Sequence, residues 1–388
     1  MTDRQGPLTG LVLTGGGARA AYQVGALRAL AEFVRERAPF QILAGASAGA
    51  INSTGLAIYG DDFRAGVAHL LSTWRSLLPE HVYRTDASSL LAIGATWMRQ
   101  LSTGGIFGGT DVNALLDTTP LRRLLERVLP TQRIAQHIAS GHLRGVAVTA
   151  TSYHTGTAMS FFEGAYGIAP WTRSSRLGMR ESISVSHVLA SAAIPMFFPP
   201  VAIDGAWFGD GCVRLSAPLS PAIHLGAQRL VAIGIRYART PKETNALNHM
   251  RKRDRPTISE ITGVLLNAIF LDSLDSDVER MERINATLSL LTEEQHGRMK
   301  HPLRSIPLLV LRPSCDLGSL AVEQYRRFPR TLRHLLRGIG ASGDSGWDLV
   351  SYLAFEPAYI ERLMELGYDD TYARRAEVEA FFADEPFT

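Results

Sequence analysis

The first sixty residues alternate between short apolar runs and turns rich in small residues. Residues 8–14 (LTGLVLT) form an apolar run that ends at three glycines, and residues 40–44 (FQILA) form a second run. Between them, apolar residues recur with helical spacing, and a second helical segment follows the turn after residue 44. This pattern predicts a βαβα unit whose two strands are parallel and adjacent.

Later segments predict further strands and helices of the same fold. Residues 143–152 alternate as a strand and turn back into an AMSFF run, and residues 201–208 predict another antiparallel hairpin. Residues 119–129 predict an amphipathic helix, and residues 230–235 predict a buried strand. We therefore expect an α/β fold with a mostly parallel central sheet covered by helices.

The pattern changes twice along the chain. The α/β pattern covers residues 8–236, and the polar, basic and proline-flanked residues 237–257 predict a surface loop or linker. Residues 258–388 are mainly helical, but residues 306–311 (IPLLVL) predict one more buried strand. Because a lone strand needs a sheet to join, we expect this helical C-terminal region to pack on the core.

Residues 61–109 have a mixed helical pattern with two interpretations. Amphipathic helices mostly face a core, which favours a helical insertion that covers one face of the sheet. The alternative is a lid that contains Trp97, Met98 and Phe107.

Composition excludes several classes of protein. With 46% hydrophobic and 20% charged residues in 388, the chain is neither disordered nor fibrous. A net charge of +3 is too small to make nucleic acid the expected partner. Cys212 and Cys315 form no CxxC motif, and no HExxH or other metal spacing occurs, so we expect no metal site.

The sequence also bears on location. Its first ten residues lack the apolar core of a signal peptide. Residues 39–60 carry no charge over 22 positions, but their four glycines and several polar residues favour buried strand, turn and helix over a membrane span. We expect a cytoplasmic protein, and peripheral contact with the inner membrane surface stays open.

Residues 45–49 (GASAG) form a GxSxG motif. A nucleophile elbow needs a strand, a turn tight enough to require small neighbours, and a helix whose N-terminus stabilises negative charge. The pattern predicts all three around Ser47, with Gly45 and Gly49 as the small neighbours. Ser47 is therefore a candidate nucleophile, and the alternative is a structural turn with a helix-capping serine.

Gly15, Gly16 and Gly17 also have two interpretations. With Ala20 they fit the GxGxxA form of a dinucleotide-binding turn, but the second strand ends without the Asp or Glu that would bind the ribose. Because neighbouring parallel strands lie about 4.8 Å apart, the glycine loop should lie beside Ser47, where its amides can hold an oxyanion. Arg19 would orient this loop, contact a phosphate or remain solvated in the first turn.

The catalytic base is harder to find. Among eleven histidines, His154, His187 and His224 lie where structural roles are more common than catalytic ones. Asp210 is followed by Gly211 and lies after a hairpin whose own turn is supplied by Asp204. It is therefore a candidate base, or simply part of another turn.

Taken in this order, these motifs resemble those of patatin-like phospholipases. Residues 15–19 (GGGAR) resemble the family's glycine-rich oxyanion segment, residues 45–49 its nucleophile elbow, and Asp210-Gly211 its catalytic Asp-Gly. Residues 190–201 (ASAAIPMFFPPV) resemble the segment that precedes that aspartate, so the resemblance covers about residues 8–236. It implies a Ser-Asp dyad without histidine, with Ser47 as nucleophile and Asp210 as base.

The resemblance implies a lipid acyl hydrolase of the phospholipase A type, which forms an acyl-enzyme on a phospholipid or another acyl lipid and needs no cofactor. Cys212 departs from the family, which usually has Gly or Ala after the Asp-Gly. An aspartate that acts as a base should be buried, because burial raises its pKa above about 3.9.

Two alternatives remain at this point. One is a Ser-His-Asp carboxylesterase that acts on small esters, and the other is a non-catalytic lipid-binding regulatory module. The sequence does not indicate head-group preference, acyl position or oligomeric state.

Overall fold

The computed structural model describes residues 6–84, 114–250, 255–299, 303–322, 333, 337 and 347–383. In these residues ten strands form one sheet. The strands are β1 (Thr9–Leu13), β2 (Ile42–Ala46), β3 (Gly145–Ser152), β4 (Ala158–Gly164), β5 (Trp171–Arg173), β6 (Arg176–Arg180), β7 (Val201–Ile203), β8 (Ala206–Asp210), β9 (Arg229–Ile233) and β10 (Leu308–Leu311).

The helices flank this sheet. They are α1 (Ala21–Phe33), α2 (Ala48–Ala57), α3 (Phe63–Arg75), α4 (Pro79–Val82), α5 (Thr119–Val128), α6 (Arg133–Ala139), α7 (Val185–Ser191), α8 (Ser220–His224), α9 (Pro241–Met250), α10 (Ile258–Phe270), α11 (Asp272–Ser289), α12 (Glu293–Gly297), α13 (Trp347–Leu353), α14 (Pro357–Ala373) and α15 (Arg375–Phe382). Short 3₁₀ helices span Gly17–Ala20 and Gly211–Val213.

Five neighbouring strands are parallel, in the order β10-β9-β1-β2-β3. The side chains of β1 alternate between two cores, as a strand requires: Leu11 and Leu13 pack in the core that contains α1, and Val12 packs in the core that contains α8 and α11. The prediction of a mostly parallel sheet covered by helices is therefore confirmed, and so is the parallel pairing of β1 with β2.

The antiparallel strand β8 decides which residues meet at one edge of β3. Strand β2 pairs with β3 as far as Ala46, which lies opposite Thr149. Strand β8 comes from the other direction and places Asp210 opposite Ala150, while β4 pairs with the other edge of β3. The end of β8 therefore meets the end of β2 where Ser47 begins its turn.

The C-terminal region contributes to the core. Strand β10 pairs in parallel with β9, which agrees with the strand predicted at 306–311. Helix α14 packs closely on α1 because both have a glycine at the contact. A Cβ on Gly25 would lie 1.9 Å from the carbonyl oxygen of Met364, and one on Gly367 would lie 2.0 Å from that of Tyr22.

The prediction of a surface loop for residues 237–257 is wrong for Pro241–Met250, which form helix α9. Thr240 and Glu243 form reciprocal bonds at its start, with the Thr240 amide donating to Glu243 Oε2 at 2.7 Å and the Glu243 amide donating to Thr240 Oγ1 at 3.2 Å. Pro241, which marked a break in the sequence pattern, occupies the first turn of the helix, where proline is favoured.

Two other expectations concern a lid and a membrane span. Trp97, Met98 and Phe107 lie outside them, so the lid stays a prediction, although α3 and α4 show that residues 63–82 are largely helical. Within the described residues, no helix combines the length and the apolar character that crossing a membrane requires.

Candidate active site

Ser47 lies on a strained turn between β2 and α2. Its side chain is buried, and its φ of 56° places it among four non-glycine residues with positive φ in the described part of the chain. Such a conformation costs about 1–3 kcal/mol and is common at functional sites. The strand, tight turn and helix predicted around Ser47 are therefore present in the backbone.

Small residues make this turn physically possible. A Cβ on Gly45 would lie 2.3 Å from the carbonyl oxygen of Gly49, and a Cβ on Gly49 would lie 2.2 Å from that of Leu13. Both distances are shorter than any tolerated contact. The two glycines of the motif thus allow α2 to begin directly against the end of β1.

Ser191 supports the elbow and was not identified from the sequence. Its hydroxyl accepts a hydrogen bond from the Ser47 amide at 2.9 Å and donates one to the carbonyl of Thr149 at 2.5 Å. Two residues later, the carbonyl of Ala193 accepts a hydrogen bond from the Asp210 amide at 3.0 Å. The only signal in the sequence was the position of both residues in the 190–201 stretch that carries the family resemblance.

The glycine loop touches the elbow directly. A Cβ on Gly15 would lie 2.5 Å from Cβ of Ser47 and 2.5 Å from Sγ of Cys212, with Cδ1 of Phe270 at 3.2 Å. The structure therefore brings Gly15, Ser47 and the loop after Asp210 together, as the βαβ argument predicted for the glycines. Gly16 and Gly17 follow with positive φ values of 156° and 55°.

Asp210 is completely buried at this junction. Its Oδ1 accepts a hydrogen bond from the Cys212 amide at 2.9 Å, and the hydroxyl of Thr151 donates to its carbonyl at 2.8 Å. Its Oδ2 has no hydrogen-bond partner among the described residues. Burial raises the pKa of Asp210 to about 7, although the Ser47 side chain and the Cys212 amide stabilise the carboxylate and oppose this rise.

Cys212 lies between the acid and the glycine loop. Burial, and then the charge of Asp210, raise the pKa of its thiol well above the ordinary value, while the Gly15 amide acts in the opposite direction. The thiol is therefore neutral at physiological pH and a poor nucleophile. Its backbone φ is not positive, so Cys at this place needs no glycine-like conformation.

Two of the three histidines considered as bases, His187 and His224, have other partners. His187 caps α7 through Ser184, at 2.8 Å from its hydroxyl, and its ring packs on Phe161. The ring of His224 stacks on Trp171, with centroids 4.6 Å apart. Burial lowers the pKa of His187, and burial with two nearby arginines lowers that of His224 to about 4. No imidazole is among the groups described around Asp210.

Arg19 is buried and not solvated. Its side chain is 2% exposed and lies among the C-terminal helices, where Asp348 pairs with its guanidinium. Burial favours the loop contact over a contact with a substrate phosphate, because the guanidinium does not reach the surface. The solvated first-turn interpretation is wrong.

An apolar pocket opens beside Ser47. Its free volume is about 40 Å³, and Gly17, Ser47 and Ala48 form part of its wall. The rest of its wall is largely apolar and includes Ile51, Trp74, Leu77, Leu121, Leu124 and Phe198. The pocket suits a hydrocarbon chain attached to an ester carbonyl at Ser47.

No group of three His, Cys, Asp or Glu side chains in the described residues has an arrangement that could hold a metal ion. The polar groups at the site are instead a serine, a carboxyl group and backbone amides. These are the components of acyl-transfer sites that work through a serine.

The chain belongs to the patatin-like phospholipase family. The family model described as patatin-like phospholipase matches residues 11–223, more than half of the chain, and the match contains Gly15, Ser47 and Asp210. This match confirms the family resemblance inferred from the motifs. It ends at residue 223, whereas the resemblance was expected to extend to about residue 236. No curated protein matches the sequence.

Two solved structures show similarity to this chain. VipD from Legionella pneumophila does so with a TM-score of 0.37 and 14% identity, over 96% of this chain and 67% of VipD. Human GIVD cytosolic phospholipase A2 has a TM-score of 0.44 and 12% identity, over 97% of this chain and 60% of the human protein. The chain thus spans less than two thirds of the human protein's length.

Proposed function

We propose that this protein is a lipid acyl hydrolase of the phospholipase A type that works through Ser47 and Asp210. One observation carries the proposal: a strained, buried serine in the wall of an apolar pocket lies against a glycine loop and against the segment that carries a buried carboxyl group with an unpartnered oxygen. Family membership supports the same reaction class.

In the first half of the reaction, the carboxylate of Asp210 takes the proton of the Ser47 hydroxyl through Oδ2. The serine oxygen attacks the ester carbonyl and forms a tetrahedral intermediate. Collapse of this intermediate breaks the ester C–O bond, and Asp210 returns the proton to the leaving alcohol. Catalytic hydrogen bonds tighten when substrate binds, so the approach of Ser47 to Oδ2 belongs to the complex with lipid.

In the second half, the acyl group remains on Ser47 as an ester. A water molecule gives its proton to Asp210 and attacks the acyl carbonyl. The intermediate releases the fatty acid, and the proton returns to the Ser47 oxygen. A pKa of about 7 suits this role, because a base should be ionised near neutral pH and still bind a proton well.

The negative oxygen of each intermediate would be held by backbone amides of Gly15, Gly16 and Gly17. The Gly15 amide also interacts with the Cys212 thiol. We therefore assign the larger share of the oxyanion stabilisation to the amides of Gly16 and Gly17. The start of α2 at Ala48 places a helix N-terminus at the same point, which favours negative charge.

Replacing Gly16 with alanine is expected to lower turnover by about a hundredfold or more, the usual effect of losing one oxyanion donor. The new Cβ would lie 1.8 Å from Cδ1 of Ile235, which would displace the loop. A stability measurement by denaturant unfolding accompanies the kinetics.

The double variant Gly16→Ala/Ile235→Val separates the loop's catalytic role from its packing. It removes the crowding methyl group but not the strain of alanine at a φ of 156°, so it should restore part of the lost stability but little of the turnover. Recovery of turnover together with stability would give these glycines a packing role alone.

The apolar pocket supports an acyl lipid as substrate over a small ester. A hydrocarbon chain buried there contributes about 0.8 kcal/mol per methylene group, so binding energy grows with chain length. We propose a phospholipid or related acyl lipid, met at the surface of a membrane or micelle. The cytoplasmic location stays a prediction.

The proposal is tested by comparing hydrolysis of phospholipid vesicles with hydrolysis of a dissolved short-chain ester, with released fatty acid measured by mass spectrometry. We expect a higher kcat/KM on the aggregated lipid, and no release by Ser47→Ala on either substrate. Equal rates on both substrates would favour the small-ester alternative, and no hydrolysis of any ester would favour the non-catalytic lipid-binding alternative.

A further inference from the structure

We propose that helices α10 and α13 complete the active site by holding the glycine loop in place through Arg19. Both helices lie beyond residues 11–223, the part that the family model matches. Asn267, Asp348 and Ser351 then act as positioning residues for the reaction. This inference rests on the proposed function, because it assigns a role to the loop that would hold the oxyanion.

Four hydrogen bonds fix the guanidinium of Arg19 between the two helices. Nε donates to Oγ of Ser351 at 2.7 Å, and Nη1 donates to Oδ1 of Asn267 at 3.2 Å. Nη2 donates to both the carbonyl oxygen and Oδ1 of Asp348, at 3.2 and 3.0 Å. This arrangement uses the fixed fork of donors that arginine has and lysine lacks.

Tyr352 adds a second layer to this anchor. The guanidinium lies over its ring at 4.4 Å from the centroid, and its hydroxyl donates to the same Asn267 oxygen at 3.0 Å. Its carbonyl oxygen would lie 2.2 Å from a Cβ on Gly17. The backbone of the glycine loop is therefore pressed against α13 as well as tied to it by Arg19.

Helix α10 reaches the other end of the loop. Its last residue, Phe270, packs against Tyr352 with centroids 5.1 Å apart, and its ring would contact a Cβ on Gly15 at 3.2 Å. Gly15 and Gly17 are thus each bounded by a C-terminal side chain or backbone group.

The glycine loop needs such support because its amides can hold an oxyanion only in one orientation. Amides stabilise an oxyanion only when they already point at the place where the charge develops. A misplacement of about 1 Å can lower a rate about a hundredfold. Two consecutive glycines with positive φ have wide conformational freedom, so the anchor at Arg19 restricts a segment that its own sequence leaves flexible.

The experiment compares Arg19→Gln, Asp348→Asn and wild type in two measurements. The first is the rate at which a fluorophosphonate phosphonylates Ser47, with loss of fluoride, together with kcat and KM for a soluble ester. We expect Arg19→Gln to lower the labelling rate and kcat by about tenfold to a hundredfold and to change KM by less than about threefold. Asp348→Asn should show the same pattern with a smaller loss, and Arg19→Lys should fail to restore the rate.

The matched control is Arg229→Gln. Arg229 is also buried and also joins the core to a C-terminal helix, donating to Oγ1 of Thr9 at 2.7 Å and to the carbonyl oxygen of Phe381 at 3.0 Å. It is the first residue of β9 and lies opposite Thr9, at the end of β1 that is away from the glycine loop. This variant should lose stability and keep its labelling rate.

The second measurement is hydrogen–deuterium exchange, which does not depend on activity. Exchange in residues 14–20 should rise in Arg19→Gln and Asp348→Asn, with no change in residues 48–57. An inactive wild type whose loop exchange still rises in the variants would contradict the proposed function but not the anchor. Unchanged exchange, or kinetic losses in Arg19→Gln no larger than in Arg229→Gln, would overturn the anchor. If Arg19→Gln does not fold, Asp348→Asn and Ser351→Ala decide the matter by the same criteria.

Discussion

Replacing Asp210 with asparagine should nearly abolish hydrolysis and, at about pH 8, stabilise the fold. Asparagine keeps the shape of the side chain and an oxygen for the Cys212 amide, but it cannot take a proton from Ser47. General-base catalysis contributes about 10²- to 10⁴-fold, so turnover should fall by this range. Loss of activity would then accompany a gain in stability.

The gain in stability follows from the raised pKa. In the unfolded chain Asp210 ionises near its ordinary pKa of 3.8, whereas burial raises the pKa in the folded protein to about 7. The folded state therefore loses stability as the pH rises from about 4 to about 7, since the carboxylate is more stable in the unfolded chain. The difference corresponds to about 4 kcal/mol above both pKa values.

Asparagine avoids this penalty because it does not ionise, but its amide nitrogen would replace the unpartnered Oδ2. A buried polar group without a partner costs about 1–3 kcal/mol. We expect a net gain of about 1–3 kcal/mol in the free energy of unfolding near pH 8. The gain should disappear near pH 5, where the folded wild type is mostly protonated at Asp210.

Denaturant unfolding of both proteins across this pH range measures the gain. The control is Asp204→Asn, an exposed turn residue with a φ of 48° that asparagine tolerates, and this variant should change neither activity nor stability by much. The wild type should also show kcat/KM rising with pH, with a midpoint near 7. A gain that does not depend on pH, or full activity in Asp210→Asn, would remove Asp210 as the base.

Ser47→Ala should lose both turnover and covalent labelling. A fluorophosphonate reacts with an activated serine, and in this protein it should modify Ser47 alone, because the elbow holds that hydroxyl beside Asp210 and the glycine loop. Removal of a nucleophile can lower turnover about 10⁶-fold. Peptide mapping of the labelled protein by mass spectrometry identifies the modified residue.

Ser53→Ala provides the comparison for this variant. Ser53 is a buried serine on the same helix, and its hydroxyl donates to the carbonyl of Ala50 at 3.2 Å within that helix. The variant should label at the wild-type rate. Labelling that survives in Ser47→Ala would assign the reactive serine elsewhere, whatever the family to which the chain belongs.

The parallel half of the fold and one side of the site were predictable from the sequence. Strand, turn and helix around Ser47 are contiguous, and a short crossover must bring the ends of β1 and β2 together. The contact of Gly15 with Ser47 follows from that local arrangement. The strand that became β10 was also predictable, because an apolar run without partners in a helical region has to join the sheet.

Sequence signals that are compatible with two local structures led to wrong or open predictions. Pro241 indicated a loop but begins α9, since proline both breaks a helix and favours its first turn. Arg19 also had open interpretations, because a charge in a first turn is usually solvated. Its burial depends on Asp348 and Asn267, which no local pattern connects to it.

Asp210 and Ser191 depend on tertiary structure for their place in the site. From the residues alone, Asp210-Gly211 was as consistent with a turn as with a base, and the family resemblance supplied its role. Its place beside Ser47 follows from β8 pairing with β3 exactly one position beyond the end of β2. Pairing between distant strands is set by register and by the packing of their faces. The sequence could therefore name Ser47 as a candidate nucleophile, but only the folded sheet could bring Asp210 to it.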